Sequence, residues 1–327
     1  MNLKKIGMFG LKTLSVSLAM LVTVILVTSL VPNSIGEADT EQAGITLFLL
    51  LAVTTVDALI VGSVVKNSRW SGWALTVGLI FSFFGAQTLV GQIEALVFLT
   101  PLGESMGAGS VPVLTMPLDF ILSQILIWGA VAIVGVSLAV FVFGRRKKDG
   151  SNLVNLSSGM DIRELLLKLG VIVLLYELLY FGFGYYVAWK SPAVLEFYQG
   201  TDPGSFLAQM KHVATDTPGL IPFQGFRALL WAAFALPVVG MLRHRPWAGV
   251  LLTGLFLSVP MNIPHIVPNP YMPADVRFVH FVETASSTFI FGVLVFLLLY
   301  RSHDSVIDLL RIRWTEESSK KFAEEIS

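Results

Sequence analysis

Polar and ionisable residues interrupt several long apolar segments of the sequence, and the densest group of them lies near the end of the chain. The segment VRFVHFVETASS carries Arg277, His280 and Glu283, followed by Thr284 and Ser287. At about 100° per residue, these side chains fall on about one third of a helix circumference. Such a face can bind a polar ligand, exchange protons or contribute to a metal site. The alternative is a capping and packing face, on which Arg277 anchors the helix at the lipid head groups.

Two earlier apolar segments carry side chains that are costly inside a bilayer. In GAQTLVGQIEALVF, Gln87 and Glu94 are two helical turns apart on one face. Hydrogen bonds between helices are an alternative explanation of that pattern. In LLYELLYFGFGYY, Glu177 lies past the bilayer middle by residue count, where a lone carboxylate is expensive. We expect Arg227 or Arg277 to be its counter-charge.

A proline-rich stretch, PMNIPHIVPNPYMP, follows an apolar segment at 247–260 that is too short to cross the bilayer as a helix. Prolines at this density exclude a regular helix. Irregular chain at membrane depth is tolerated only when it is buried in protein or lines a wet cavity. We therefore expect this stretch to bring Asn262 and His265 to the polar face of the last helix. A rigid surface loop without a ligand is the alternative.

The candidate residues are unevenly distributed between the two halves of the membrane. Asp57, with Thr54 and Thr55 beside it, lies toward the opposite half from the others and is a candidate ion-coupling residue. A buried hydrogen bond to a neighbour is its alternative role. The remaining candidates predict a polar chamber open to the extracytoplasmic side. They are Gln87, Glu94, Glu177, Arg227, His265, Arg277, His280 and Glu283.

The elements that position these residues are membrane-spanning helices. The chain has 327 residues, of which 54% are hydrophobic and only 13% charged, and its mean hydropathy is +0.75. Runs of about 20 apolar residues span the hydrocarbon as helices. We find them near 13–31, 45–65, 73–99, 118–143, 165–186, 223–241 and 279–300, with the short 247–260 run as an eighth. The sequence therefore predicts an all-α polytopic membrane bundle of about eight helices.

The basic residues predict the orientation of the bundle. If the N-terminus is cytoplasmic, only Lys190, Lys211, Arg227 and Arg277 of the 22 basic residues fall outside. This distribution predicts that both termini are cytoplasmic and that the chain lies in the plasma membrane. The first span is interpreted as an uncleaved signal anchor because its apolar run is longer than that of a typical signal peptide.

The connections divide the sequence into two halves of four spans. Residues 1–144 form the first half, 145–162 a basic cytoplasmic linker and 163–301 the second half, with an extracytoplasmic loop at 187–222 that resembles a small folded cap. Asp161 and Glu164 have capping-box spacing, which marks the start of the fifth helix. Residues 302–327 predict an amphipathic cytoplasmic tail, lying either on the membrane or against a partner.

Composition excludes several classes of function. The net charge is zero, which disfavours nucleic-acid binding. The chain has no Cys and therefore no disulfide, thiolate metal site or Cys nucleophile. No nucleotide-binding loop or GxSxG motif is present. We expect no cofactor and no structural metal, because the available His and Glu spacings do not enforce convergence.

Three functions fit these residues. The first is binding or transport of a small polar or amphiphilic ligand in the chamber. The second is an intramembrane enzyme, of the hydrolase or metalloenzyme type, that acts on a lipid-linked or periplasmic substrate. The third is a non-catalytic membrane subunit or assembly factor. The expected partners are the lipid bilayer, a small-molecule or lipid-like ligand and, as a further option, another membrane protein or a second copy of this chain.

Overall fold

The computed structural model describes residues 3–31, 43–109, 115–145, 160–303 and 308. This part of the chain contains eight helices that are long and apolar enough to cross a membrane, which confirms the all-α polytopic bundle. We number these long helices α1 to α8 and give shorter helices by their bounds. They are α1 (Leu3–Leu30), α2 (Ala43–Asn67), α3 (Gly72–Phe98), α4 (Leu118–Val142), α5 (Ile162–Tyr186), α6 (Leu220–Leu242), α7 (Pro246–Asn262) and α8 (Ala274–Leu299).

One hydrophobic core joins the two halves of the sequence. Met20 of α1, Phe83 of α3, Trp231 of α6 and Phe256 of α7 are all fully buried in the same cluster. Large apolar side chains such as Phe278 of α8 remain exposed on the outside of the bundle. This distribution suits a bundle surrounded by lipid, whose acyl chains solvate an apolar exterior.

Helix α3 is interrupted by a π-helical turn at Gly85–Leu89, in the segment that contains Gln87. A Cβ atom on Gly85 would collide with the ring of Phe234 in α6, so glycine permits the close approach of the two helices here. A π turn widens the helix by one residue and rotates the side chains that follow it. Single π turns are often found at functional sites.

The proline-rich stretch differs from its prediction in one respect. Helix α7 continues through Pro260 to Asn262, and a 3₁₀ turn at Ile263–Ile266 follows it. Proline lacks the N–H of one helical hydrogen bond, and its ring crowds the carbonyl four residues earlier. The helix persists because α8 packs against it, with the Ser258 hydroxyl donating to the Ala285 carbonyl at 2.6 Å, and because the Asn262 side chain donates to the Ser258 carbonyl at 2.7 Å. The irregular chain therefore begins later than predicted.

The connections rich in basic residues meet on one side of the bundle, which we call the basic side. The N–H of Arg69 donates to the Met241 carbonyl, and the N–H of Gly72 donates to the Arg145 carbonyl, at 2.9 and 2.8 Å. The ammonium of Lys12 lies 5.5 Å from the ring centroid of Phe143, which places the start of α1 on this side as well. The opposite side, which carries the connections after α3, α5 and α7, we call the chamber side.

The end of α8 is fixed to the start of α5 on the basic side. The Asp161 side chain accepts from the Glu164 N–H at 2.7 Å, so the predicted helix cap is present. Glu164 pairs with Lys168 at 2.7 Å, and the Lys168 ammonium also donates to the Arg301 carbonyl at 2.8 Å. Of the tail, only residues 302, 303 and 308 are described; most of it, and linker residues 146–159, lie outside the described residues.

Orientation is tested by cysteine labelling in this naturally Cys-free chain. We predict that His212→Cys reacts with a membrane-impermeant maleimide in intact cells, because His212 is exposed on the chamber side. Lys147→Cys, in the basic linker, should react only after the cells are permeabilised. Labelling of position 147 in intact cells would show that the basic side is not cytoplasmic.

Candidate functional site

Two neighbouring cavities open among the helices on the chamber side. The first has a volume of about 180 Å³ and lies between α3, α5, α6, α8 and the 187–219 connection. The second has a volume of about 350 Å³ and extends toward α1, α2 and α4. Both cavities have charged and aromatic walls. Their shared lining consists of Glu94, Phe98, Tyr198, Met261, His280 and Thr284.

Arg227 and Glu94 form an ion pair at the wall of the first cavity. The Arg227 side chain is 3% exposed and that of Glu94 is 23% exposed. One guanidinium nitrogen bonds Glu94, and another donates to the Gln224 side-chain oxygen at 2.9 Å. The guanidinium also lies 5.8 Å from the ring centroid of Tyr176. A buried guanidinium held by a carboxylate and an aromatic ring has a fixed position. The carboxylate balances its charge.

His280 joins two further side chains where the cavities meet. Its Nδ1 lies 3.0 Å from Oε2 of Glu283, one helical turn along α8. Its Nε2 lies 3.3 Å from the hydroxyl of Tyr198, which comes from the chamber-side connection. Burial raises the pKa of Tyr198, so this residue stays a phenol. A neutral imidazole that accepts from Tyr198 and donates to Glu283 satisfies both contacts, and such a chain can hold or move a proton.

The connection between α5 and α6, residues 187–219, is folded, and we call it the cap. It contains a 3₁₀ turn at Ala188–Lys190 and helices at Pro192–Phe197 and Phe206–Asp216. The cap is fixed to the end of α5, because the Tyr185 hydroxyl donates to the Gly204 carbonyl at 3.1 Å. Within the cap, Lys190 pairs with Asp202 at 3.2 Å. The Gly204 N–H and the Lys190 ammonium hold the pKa of Asp202 below its usual value. The cap therefore forms a fixed wall over the first cavity.

The face predicted on the last helix lies along both cavities. Arg277 lines the second cavity, Glu283 and Ser287 line the first, and His280 and Thr284 line both. Arg277 donates to the Val267 carbonyl, which ties the proline-rich segment to α8. The proline-rich segment is therefore part of the wall of the second cavity.

Two residues of the proline-rich segment reach α8 or the second cavity. The Thr284 hydroxyl bonds the side-chain oxygen of Asn262. His265 lines the second cavity, and its Nδ1 lies 3.0 Å from the Asn262 carbonyl.

Asp57 makes the buried hydrogen bond that was the alternative to an ion-coupling role. It is fully buried, and the side-chain amide of Gln87 donates to its Oδ2 at 2.7 Å. Thr54 and Thr55 instead contact Ser17 of α1, at 3.2 and 2.8 Å between hydroxyl oxygens. Gln87 also lines the second cavity, so it connects Asp57 to the chamber.

Glu177 differs from its prediction. It lines neither of the two cavities described above, and its carboxylate lies against Gly225 of α6. Gly225 and Arg227 are two residues apart and therefore point to different sides of α6. Arg227 pairs with Glu94 instead, and Arg277 bonds the Val267 carbonyl. Neither arginine is the counter-charge of Glu177.

Several residues of the chamber have no clear signal in the sequence. Tyr198 lies on a loop far from α8 along the chain, so no periodicity connects it to His280. Tyr185 and Trp189, which are typical of an interfacial aromatic belt, line the first cavity instead. Gln224, which supports Arg227 from behind the cavity wall, has a signal in the sequence: an amide one helical turn from Arg227 in an apolar segment.

Within the described ranges, no three His, Asp or Glu side chains are grouped so that they could hold a metal ion.

Fold and chamber together define a polytopic helical membrane protein with a polar, aromatic chamber on one side. No family model matches the chain, and neither a curated protein nor a solved structure is similar to it at a significant level. Function is therefore inferred from the chamber itself.

Proposed function

We propose that this protein binds a small amphiphilic ligand in the chamber and carries it between the chamber side and the bilayer interior. The supporting observation is the pair of cavities that meet at Glu94 and His280. Their walls combine a few charged groups with many aromatic and aliphatic side chains, which is the composition of small-molecule sites. Cavities of about 180 and 350 Å³ suit a small ligand or one portion of a lipid.

The distribution of charge supports a ligand with a polar and an apolar portion. Arg227 with Glu94, and His280 with Glu283, provide two polar contacts at the first cavity. Tyr176, Tyr180 and Phe181 of α5 provide an apolar wall beside them. A polar ligand group would exchange hydrogen bonds with the charged pairs, while its apolar portion would displace water from the aromatic wall.

Ligand binding is tested by blocking the first cavity. We predict that Ser287→Trp, whose side chain enters the cavity, lowers the amount of bound molecule recovered from the purified protein by at least about tenfold. Ser286→Trp is the matched control, because Ser286 is the preceding residue and is exposed on the outside of α8. Molecules extracted from both variants and from the wild type are quantified by mass spectrometry, relative to lipid.

Two results would contradict binding in the first cavity. One is an equal recovery of every small molecule and lipid from Ser287→Trp and Ser286→Trp. The other is a wild-type extract that contains no molecule enriched over the surrounding lipid. An enriched molecule is then reconstituted with the protein in vesicles. Its protein-dependent transfer between the aqueous phase on the chamber side and the bilayer separates a carrier from a receptor.

A second candidate function is an intramembrane enzyme, and the Tyr198–His280–Glu283 chain favours it. Two protonatable groups linked through an imidazole are an arrangement used in general acid–base catalysis. The two proposals differ in what happens to the bound molecule. If the protein is a carrier, the mass of the bound molecule is unchanged after incubation with the wild-type protein. If it is an enzyme, the wild type changes the mass of the bound molecule and the His280→Ala variant does not.

A further inference from the structure

The floor of the second cavity leads to a buried carboxylate. Gln87 and Thr88, in the π turn of α3, both line this cavity. Gln87 donates to Asp57, which has no exposed surface. The order from chamber to protein interior is therefore cavity, Gln87 and Asp57.

Three oxygen atoms at this floor have no hydrogen-bond partner among the described residues. They are Oδ1 of Asp57, Oε1 of Gln87 and the hydroxyl of Thr88, and each of these atoms is buried. Buried oxygens are normally satisfied, and each unsatisfied one is destabilising. All three oxygens can accept a hydrogen bond or coordinate a cation, and the Asp57 carboxylate can also bind a proton.

The Thr88 hydroxyl lacks the local hydrogen bond that several other helical threonines make, as does the hydroxyl of Thr253 in α7. Thr13, Thr23, Thr55 and Thr76 all donate to the carbonyl four residues earlier. In the π turn the helical bonds run to the fifth residue, as shown by the Val90 N–H donating to the Gly85 carbonyl. Thr88 lies in this turn, and its hydroxyl has no hydrogen-bond partner among the described residues. The turn therefore places two consecutive residues with unpartnered side-chain oxygens, Gln87 and Thr88, along the second cavity.

Asp57 has one neutral donor and no cationic partner in the described part of the chain. Helices α1, α4 and α7, which pack around α2, carry no cationic side chain at the depth of Asp57. Helix α7 has no ionisable residue, α1 has none after Lys12, and α4 has only Asp119 at its chamber end. The charged or titratable groups that line the two cavities come from α3, α5, α6, α8, the cap and the proline-rich segment. They are Glu94, Tyr176, Tyr180, Tyr185, Tyr198, His212, Arg227, His265, Arg277, His280 and Glu283. An uncompensated carboxylate at this depth is strongly unfavourable.

We propose that Asp57, Gln87 and Thr88 form a binding site for a monovalent cation, a proton or a sodium ion, that enters from the chamber. Oxygen ligands from one carboxylate and neutral groups beside an irregular turn are how membrane carriers hold such ions. Cation binding at this site is independent of any ligand. Its use to drive ligand movement rests on the proposed function.

The site is tested by the thermal stability of the purified protein, without any ligand. Midpoints are measured at pH 5.5 and pH 8.5, in chloride salts of choline, potassium and sodium at equal ionic strength. In choline, the wild type should unfold several degrees lower at pH 8.5 than at pH 5.5, because the carboxylate then lacks a cation. Asp57→Asn, which is neutral at both pH values, should lose this part of the pH response. Asp119→Asn, at the chamber end of α4, is the matched control and should keep it.

The salts distinguish the two cations. If sodium binds, it restores the midpoint at pH 8.5 whereas potassium does not, and Thr88→Val raises the sodium concentration required by about tenfold. If only a proton binds, sodium has no effect, and the infrared spectrum of the wild type contains a protonated carboxyl band that Asp57→Asn lacks.

The proposal is overturned if Asp57→Asn retains the full wild-type response to pH and sodium, or if the wild type responds to neither. If Asp57→Asn alters the fold, the infrared band still decides the question. Thr88→Val and Asp119→Asn leave the Asp57 carboxyl in place, so each of them must match the wild type in showing or lacking the band. A failure here leaves the Ser287→Trp result unaffected, so loss of the cation site and loss of ligand binding are separate outcomes.

Discussion

Replacement of Arg227 by Met is expected to lower the free energy of unfolding by about 3 kcal/mol, because the Glu94 carboxylate then lacks its counter-charge. The value is at the low end for a broken buried pair, since 23% of the Glu94 side chain is exposed. Chemical unfolding in detergent micelles measures the change. The same variant should lose the bound molecule, because the pair lies at the wall of the first cavity.

A double substitution separates charge from packing. Glu94→Gln combined with Arg227→Met removes both charges and should recover much of the stability lost in the single variant. Glu177→Gln is the control for the loss of a membrane carboxylate, and we expect it to be close to the wild type in stability because Glu177 bonds neither arginine. Equal stability of Arg227→Met and the wild type would show that the pair does not hold the chamber together.

Replacement of His280 by Ala is expected to leave the protein folded while reducing recovery of the bound molecule by at least about tenfold. His280 lies where the two cavities meet and connects Tyr198 of the cap with Glu283 of α8. Its loss breaks the contact between the cap and the polar face, and Glu283, which lines the first cavity, then exchanges hydrogen bonds with water there. Mass spectrometry of the extracted molecule and the thermal midpoint are measured together. His244→Ala, at an exposed position on the basic side, is the control and should change neither quantity.

The same variant tests the prediction of no structural metal. Elemental analysis of the wild type and of His280→Ala should show no stoichiometric zinc in either protein. One zinc ion per chain in the wild type, absent from His280→Ala, would contradict that prediction. It would favour the intramembrane enzyme over a carrier, because a zinc site with an open position activates water.

The sequence by itself determined the helices and the polar face of the last one. Hydropathy and helical periodicity are local properties, so the spans could be located and Arg277, His280 and Glu283 assigned to one face of α8. Local chemistry also gave the cap at Asp161, because a capping side chain bonds within its own turn. The prolines also predicted where the irregular segment lies. Its predicted first residue, Pro260, is still part of α7, because α7 packs against α8.

The tertiary structure alone decided which charges meet. Glu94 and Glu177 are both carboxylates in apolar helices, yet only Glu94 reaches Arg227, because the rotation of α6 turns Arg227 away from the side on which Gly225 meets Glu177. Gln87 is seven residues from Glu94, yet its amide bonds Asp57 of another helix. Tyr198 joins His280 only through the fold of the cap. Such pairings depend on how helices rotate and pack against distant segments, which is information that no local pattern in the sequence carries.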